Sequence, residues 1–230
     1  MSRPHIIVHI LQSIDGRVAG RYFSKAFDLV GPYGDIRRDL DPECVIYGAT
    51  TAAQVLDCVR AGRETRVRRP VPDGDFVAAD ADFFFAIVDP EGTLTFNDSV
   101  AIRGDMEGHI IQLLREDVNP GYLSYLRNCG VSYILAGRGR FDAELAAEKL
   151  QRLFGIYRAL LMGGGYADGT FAAAGCVDEL SLVVAPVAEV ASGQPSLFET
   201  VRGLSADPVE FHLADVRQLP SSGLWLHYVR

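Results

Sequence analysis

Residues 159–175 read Ala-Leu-Leu-Met-Gly-Gly-Gly-Tyr-Ala-Asp-Gly-Thr-Phe-Ala-Ala-Ala-Gly, and this stretch decides the fold. Ile156–Met162 is an apolar run of strand length, and Gly163, Gly164 and Gly165 interrupt it. Tyr166–Ala174 then has the composition of a short helix, closed by Gly175. A strand that runs into glycines and then a helix is the connecting unit of a layered α/β protein. Glycine carries no Cβ, so the backbone here can approach a pyrophosphate closely. The helix N-terminus adds unpaired amides and the positive end of its dipole. The same glycines would serve turn geometry alone, and their order is not the Gly-x-Gly-x-x-Gly of a dinucleotide fingerprint.

Outward from this turn, strand and helix patterns keep alternating. His5–Leu11 reads as a buried strand ended by Ser13-Ile14-Asp15-Gly16. Cys44–Tyr47 is a second strand that stops at Gly48, where Thr50 or Thr51 can cap a helix over Ala52–Arg60. Phe83–Val88, His109–Leu114 and Val131–Ala136 read as further strands. Asn119-Pro120 opens a helix that Gly130 ends, and Phe141–Phe154 is helical with Phe141, Leu145, Leu150 and Leu153 as its apolar face. Val177–Ala185 and Leu224–Val229 complete the set, while residues 61–82 read as a long surface connection. The alternation predicts one α/β domain over residues 1–230, with a mostly parallel central sheet and an antiparallel C-terminal edge.

Composition narrows the class of function. At 230 residues and 48% hydrophobic, the chain can bury about 70% of its unfolded surface without a disulfide or metal staple. A net charge of -8 argues against a nucleic-acid or anionic-membrane partner, which would need clustered Lys and Arg. The one basic run (Arg60, Arg63, Arg66, Arg68, Arg69) is interleaved with Gly62, Glu64 and Pro70 and reads as a solvated loop. Cys44, Cys58, Cys129 and Cys176 are scattered, with no Cys-x-x-Cys pair and no His at metal spacing. The expectation is a reduced cytoplasmic chain with no metal, and the apolar run after Pro4 is too short for a signal peptide.

Two further segments carry candidate chemistry. Gly48-Ala49-Thr50-Thr51 is a second strand-to-helix turn, read either as a plain helix cap or as a second support for one cofactor at the carboxyl ends of the strands. On an extended strand His9, Leu11 and Ser13 share one face, so His9 is either a satisfied core residue or a group at the active end of the sheet. Asp15-Gly16 is first of all a turn pair.

Taken in order, these segments resemble the reductase domain of the riboflavin-biosynthesis deaminase-reductase family. The matches are Ser13-Ile14-Asp15-Gly16, Gly48-Ala49-Thr50-Thr51, the turn Met162–Gly165, Ala174-Gly175-Cys176-Val177-Asp178-Glu179-Leu180, and Ala185-Pro186. The resemblance implies a dihydrofolate-reductase-like three-layer fold. It also implies a homodimer, and NADPH as hydride donor to a small pyrimidine-, carbonyl- or imine-containing substrate, as in 5-amino-6-(5-phosphoribosylamino)uracil reductase. The companion deaminase's zinc signature is absent from the sequence.

Carried over by position, the resemblance makes Gln12, Ser13, Gly48, Thr50, Thr51, Gly163, Gly164, Gly165, Tyr166, Ala167, Asp168, Gly169 and Thr170 cofactor contacts. His9, Arg38 and Met162 become substrate contacts, with His9 and Asp15 as the candidate proton-transfer pair. Three positions depart from the family pattern: His9 replaces a lysine, Met162 a glutamate and Val55 an aspartate. Lost polar partners weaken discrimination for a polar ligand, so the substrate stays open. The resemblance also implies that the strand ending at Asp89 approaches the adenosine ribose, where Asp89 and Glu91 would repel the 2′-phosphate of NADPH unless Arg138 or Arg140 reaches it, which leaves NADH as an alternative. A catalytically weak dinucleotide-binding protein with a regulatory or interaction role is the second reading, and a dihydrofolate reductase a weaker third.

Overall fold

The computed structural model describes residues 2–60, 71–200 and 207–230. In chain order the strands are β1 (His5–Ser13), β2 (Cys44–Gly48), β3 (Cys58–Arg60), β4 (Phe84–Val88), β5 (Leu94–Phe96), β6 (Val100–Arg103), β7 (Met106–Leu114), β8 (Ser132–Leu135), β9 (Arg158–Leu161), β10 (Glu179–Ala185), β11 (His212–Gln218) and β12 (Leu224–Val229). The α-helices are α1 (Val30–Asp39), α2 (Ala49–Val55), α3 (Pro120–Cys129), α4 (Ala143–Phe154) and α5 (Gly165–Ala173). The class is mixed α/β, with mainly parallel strand pairs at the centre and antiparallel pairs at the edges.

The chain forms two compact units. The terminal unit comprises His5–Pro42 and Arg158–Arg230; the central unit is Glu43–Tyr157 with the N-terminal residues to Pro4. In the terminal unit β1 lies between β9 and β10, parallel to both, with Val8 opposite Leu161 and Leu180. Because these three strands run the same way, their carboxyl ends form one edge, and β9 reaches β10 through α5. β12 pairs antiparallel with β10, as the C-terminal pattern predicts, and β11 pairs antiparallel with β12. One face of this unit packs Leu11, Tyr22, Leu29, Ile36, Val183 and Trp225 into a continuous core.

In the central unit β2, β4, β7 and β8 are parallel, and β6 pairs antiparallel with the first half of β7. Two helix ends follow the sequence rules closely. Asn119 caps α3 by accepting from the Gly121 amide at 2.8 Å, and Gly130 ends it at φ 71. α4 differs in its buried face, which uses Ala143, Ala146, Ala147, Leu150 and Phe154, while Leu145 and Leu153 are only half-buried. The predicted helix over Ala52–Arg60 is also corrected. α2 starts at Ala49 and ends at Val55, and Cys58–Arg60 is a strand paired with β5.

The sequence patterns gave no hint of α1, whose Gly31, Pro32 and Gly34 read as breakers. Pro32 sits in the first turn, where its missing N–H removes no helical bond. The exposed edge strand β11 and the short β5 and β6 carry no alternation long enough to read. Among the described residues no helix is long and apolar enough to cross a membrane. Of the basic run, Arg63–Arg69 lie outside the described residues.

Candidate active site

The carboxyl edge of the terminal unit is built from three loops: Ser13–Gly20 after β1, Met162–Gly165 after β9, and the segment after β10. β9 ends at Leu161 and is followed by Met162, which is buried, and Gly163 then adopts φ 99, a region that side chains rarely enter. The Gly163–Gly164 peptide is cis. Gly164 is the N-cap of α5, and no side chain caps the helix. The Ala167 amide turns back to the Gly164 carbonyl at 2.8 Å, which leaves the Gly165 and Tyr166 amides at the head of the helix for an outside acceptor. At this end Tyr166 is exposed and Gly164 half-exposed, whereas Ala167, Asp168 and Gly169 are buried. Thr170 donates its hydroxyl to the Tyr166 carbonyl at 2.7 Å, within the helix.

The loop after β1 is closed on itself. The Ser13 hydroxyl donates to Asp15 at 2.6 Å and accepts from the Arg17 amide at 2.8 Å. The Asp15 carboxylate also accepts from the Glu189 amide at 2.9 Å. Ser13's bond and these amides hold the Asp15 carboxyl down at about 2. Asp15 is therefore ionised at neutral pH and serves as a latch between two loops, not as a proton donor. Gln12 is half-buried just before this latch. Arg17 extends the closure by donating to the Gln194 carbonyl at 2.9 Å, and the Val18 amide donates to Pro195 at 3.1 Å.

The segment after β10 gives Gly165 and Gly169 a role the sequence did not suggest. A Cβ on Gly165 would lie 2.3 Å from the Ser196 carbonyl oxygen, and one on Gly169 would lie 2.0 Å from that of Glu199. The Glu199 amide donates to the Gly165 carbonyl at 2.9 Å. These two glycines, one helical turn apart, let Ser196–Glu199 cross α5 in direct contact.

His9 is likewise corrected as a proton donor. Its ring is fully buried and stacked on Tyr33, with ring centres 4.2 Å apart. Nε2 lies 3.0 Å from the Tyr33 carbonyl, which can only accept, so Nε2 carries the proton. Nδ1 then accepts from the Ser181 hydroxyl at 3.0 Å, and Ser181 accepts from the Trp225 indole at 2.8 Å. Burial is the main reason the His9 pKa falls to about 4. The face shared by His9, Leu11 and Ser13 is real, but α1 and Trp225 cover it. Arg38 is an exposed residue of α1 paired with Asp35, and it does not join His9.

The Val177-Asp178-Glu179 signature also proves structural. Asp178 accepts from the Ile6 amide at 2.8 Å, and Glu179 bridges His5 on β1 and His227 on β12, each at 2.7 Å. It locks three strands together across the unit.

In the central unit Gly48 is the N-cap of α2, and Thr50 and Thr51 lie inside the first turn, so neither is the cap. The Thr50 hydroxyl accepts from Arg60 at 2.8 Å. Asp89 turns inward, accepting from the Thr93 amide and hydroxyl and the Leu94 amide at 2.6, 2.8 and 3.0 Å. Burial pushes its carboxyl pKa up against those bonds. It is thus a buried turn anchor, and only Glu91 of that pair faces solvent. Arg138 and Arg140 are exposed. Among the described residues no cluster of His, Cys, Asp or Glu is arranged to hold a metal.

Residues 4–222 match the RibD C-terminal domain family. No curated protein matches the chain by sequence. Among solved structures, RibD of Acinetobacter baumannii is 18% identical with a TM-score of 0.62, covering 99% of this chain and 58% of that one. The chain thus spans less than two thirds of that relative. A pyrimidine reductase-like protein of Corynebacterium diphtheriae is 16% identical, TM-score 0.65, over 98% of this chain and 91% of that one. The riboflavin biosynthesis reductase Rib7 of Saccharomyces cerevisiae is 12% identical, TM-score 0.57, over 99% and 90%. At such identities the likeness speaks for the fold, which is that of these reductase domains.

Proposed function

From the premise that the chain belongs to the RibD C-terminal domain family, we propose that it is an NADPH-dependent reductase. It would deliver hydride to a C=N or C=O carbon of a small substrate related to the aminopyrimidines of riboflavin synthesis. One observation carries the reading: the uncapped N-terminus of α5, preceded by Gly163 at φ 99 and by Gly164, at the carboxyl edge of parallel strands. A dinucleotide pyrophosphate fits this donor set, which is made of backbone amides. When bound, the nicotinamide supplies the hydride.

The chain's own residues then have positioning tasks. Gly163 and Gly164 shape the approach, and Tyr166 is the exposed side chain beside the pyrophosphate position. The Ser13–Asp15 latch fixes the neighbouring loop next to the half-buried Gln12, and Met162 is the buried residue that leads into the turn. His9 and Asp15 donate no proton at neutral pH, so the reading assigns catalysis to orientation and not to a protein acid. NADPH is preferred over NADH as the donor that the family resemblance implies. The protein would act in the cytoplasm as a homodimer, which light scattering can test.

NADPH oxidation should be followed with a panel of phosphorylated aminopyrimidines and small carbonyl compounds. Consumption that depends on one of these substrates supports the proposal. NADPH binding with no turnover across the panel would favour the non-catalytic dinucleotide-binding reading.

A further inference from the structure

Asp168 is the least expected residue of the proposed cofactor turn. It is fully buried, and neither carboxyl oxygen has a hydrogen-bond partner among the described residues. Side chains of a helix lean toward its N-terminus, so a group in the first turn of α5 reaches back toward the glycines. The Gly163 backbone is the polar group that bears on it. Among the described residues, the charged groups of the Ser196–Glu199 segment and of the loop bridged to it at Ser196 are Glu199 and Arg17, and both are engaged elsewhere. Glu199 accepts from the Ser196 amide at 2.7 Å, and Arg17 donates to Gln194 at 2.9 Å. Neither contributes to the state of Asp168, where burial is the leading cause of a carboxyl pKa held well above its usual value.

An ionised carboxylate at the start of a helix is ordinarily welcome, because the dipole there amounts to about half a positive charge. The same charge would cancel the field that draws in a phosphate. A neutral carboxylic acid fills the space behind the turn and leaves that field to the ligand. We propose that Asp168 is a positioning residue that works in its neutral acid form, supporting the glycine turn while reserving the positive end of α5 for the cofactor pyrophosphate. This rests on the cofactor reading above.

The signs of two pH effects follow. A carboxyl whose pKa is higher in the folded state gives stability that is complete below its unfolded pKa of about 3.9 and is lost as pH rises toward the folded value. Wild-type protein without cofactor should therefore lose melting temperature with rising pH relative to Asp168→Asn, which cannot ionise. Cofactor affinity should behave in parallel. Once Asp168 ionises, NADPH binding should weaken by about tenfold, because the new charge opposes the phosphates at close range.

The experiment is NADPH fluorescence titration of wild type and Asp168→Asn between about pH 6 and about pH 9.5, with melting curves of both proteins without cofactor. The expected result is similar affinity at the acid end, a progressive loss in wild type and a flat profile in Asp168→Asn. If Asp168→Asn folds poorly, infrared spectra of wild type across the same range carry the test. A buried protonated carboxyl that persists at neutral pH supports the proposal, and its absence overturns it. Parallel pH profiles for two proteins that both bind NADPH would overturn the role of Asp168 alone. Failure of both to bind NADPH would overturn the cofactor reading, and with it the pyrophosphate part of this proposal.

Discussion

The two strand-to-helix turns look alike in sequence and differ in construction. Gly48, in the central unit, sits at φ -75 and ψ 154, an ordinary extended conformation open to any residue, and it heads a helix of seven residues. Gly163, in the terminal unit, sits at φ 99, and the nine-residue helix after it begins without a side-chain cap. Behind the first turn, one side chain bonds to Thr50. Behind the second lie a chain segment pressed onto two glycines and a buried acid whose carboxyl oxygens have no hydrogen-bond partner among the described residues. Glycine count does not separate them; backbone angle and what packs behind do.

The comparison can be broken at its supports. The largest effect is expected at His9, which anchors β1 beside the terminal turn. His9→Ala removes a buried ring and strands the Tyr33 carbonyl and the Ser181 hydroxyl, costing about 4 kcal/mol of stability in denaturant titration. The imidazole is buried in its neutral form. Its contribution is therefore present above its unfolded pKa and is lost as pH falls from 6.5 toward about 4. That loss amounts to about 3 kcal/mol. His9→Gln should flatten this acid limb, and an unchanged limb would mean that His9 does not govern it.

Next comes Gly169→Ala, whose Cβ would meet the Glu199 carbonyl oxygen at 2.0 Å. Backbone must shift, so a loss of about 3 kcal/mol is expected, readable as a lowered melting temperature. Wild-type stability would show that Ser196–Glu199 does not press on α5.

Smaller still, and sharper, is the paired test of the turns. Gly163→Ala should cost about 1–2 kcal/mol from the left-handed backbone and weaken NADPH about tenfold. Gly48→Ala should stay within about 0.5 kcal/mol of wild type, since its conformation suits alanine. Equal effects at both positions would erase the distinction.

The fold was legible where local rules and tertiary packing agree, as at Asn119 and Gly130 around α3 and in the apolar strands. It was illegible where packing overrides composition: α1 holds Gly31, Pro32 and Gly34 yet forms, and β11 is an exposed edge without alternation. At the candidate site the sequence located the turn but misread several of its residues. Gly165 and Gly169 looked like room for a ligand, and the partner that fills that room is about thirty residues along the chain. His9 looked like an acid because the Trp225–Ser181–His9–Tyr33 chain joins residues from four separate elements. A signal for its burial did exist in the apolar run on both sides of His9. Nothing in the order of residues marks Asp168 as buried.

The most direct test of the central claim, that the α5 turn of the terminal unit holds NADPH, is a fluorescence titration of the wild-type chain with NADPH, repeated with Gly163→Ala. Saturable binding between about 1 μM and about 100 μM is predicted, weakened about tenfold by the substitution. No saturation below about 1 mM, or equal affinity in the two proteins, would contradict it.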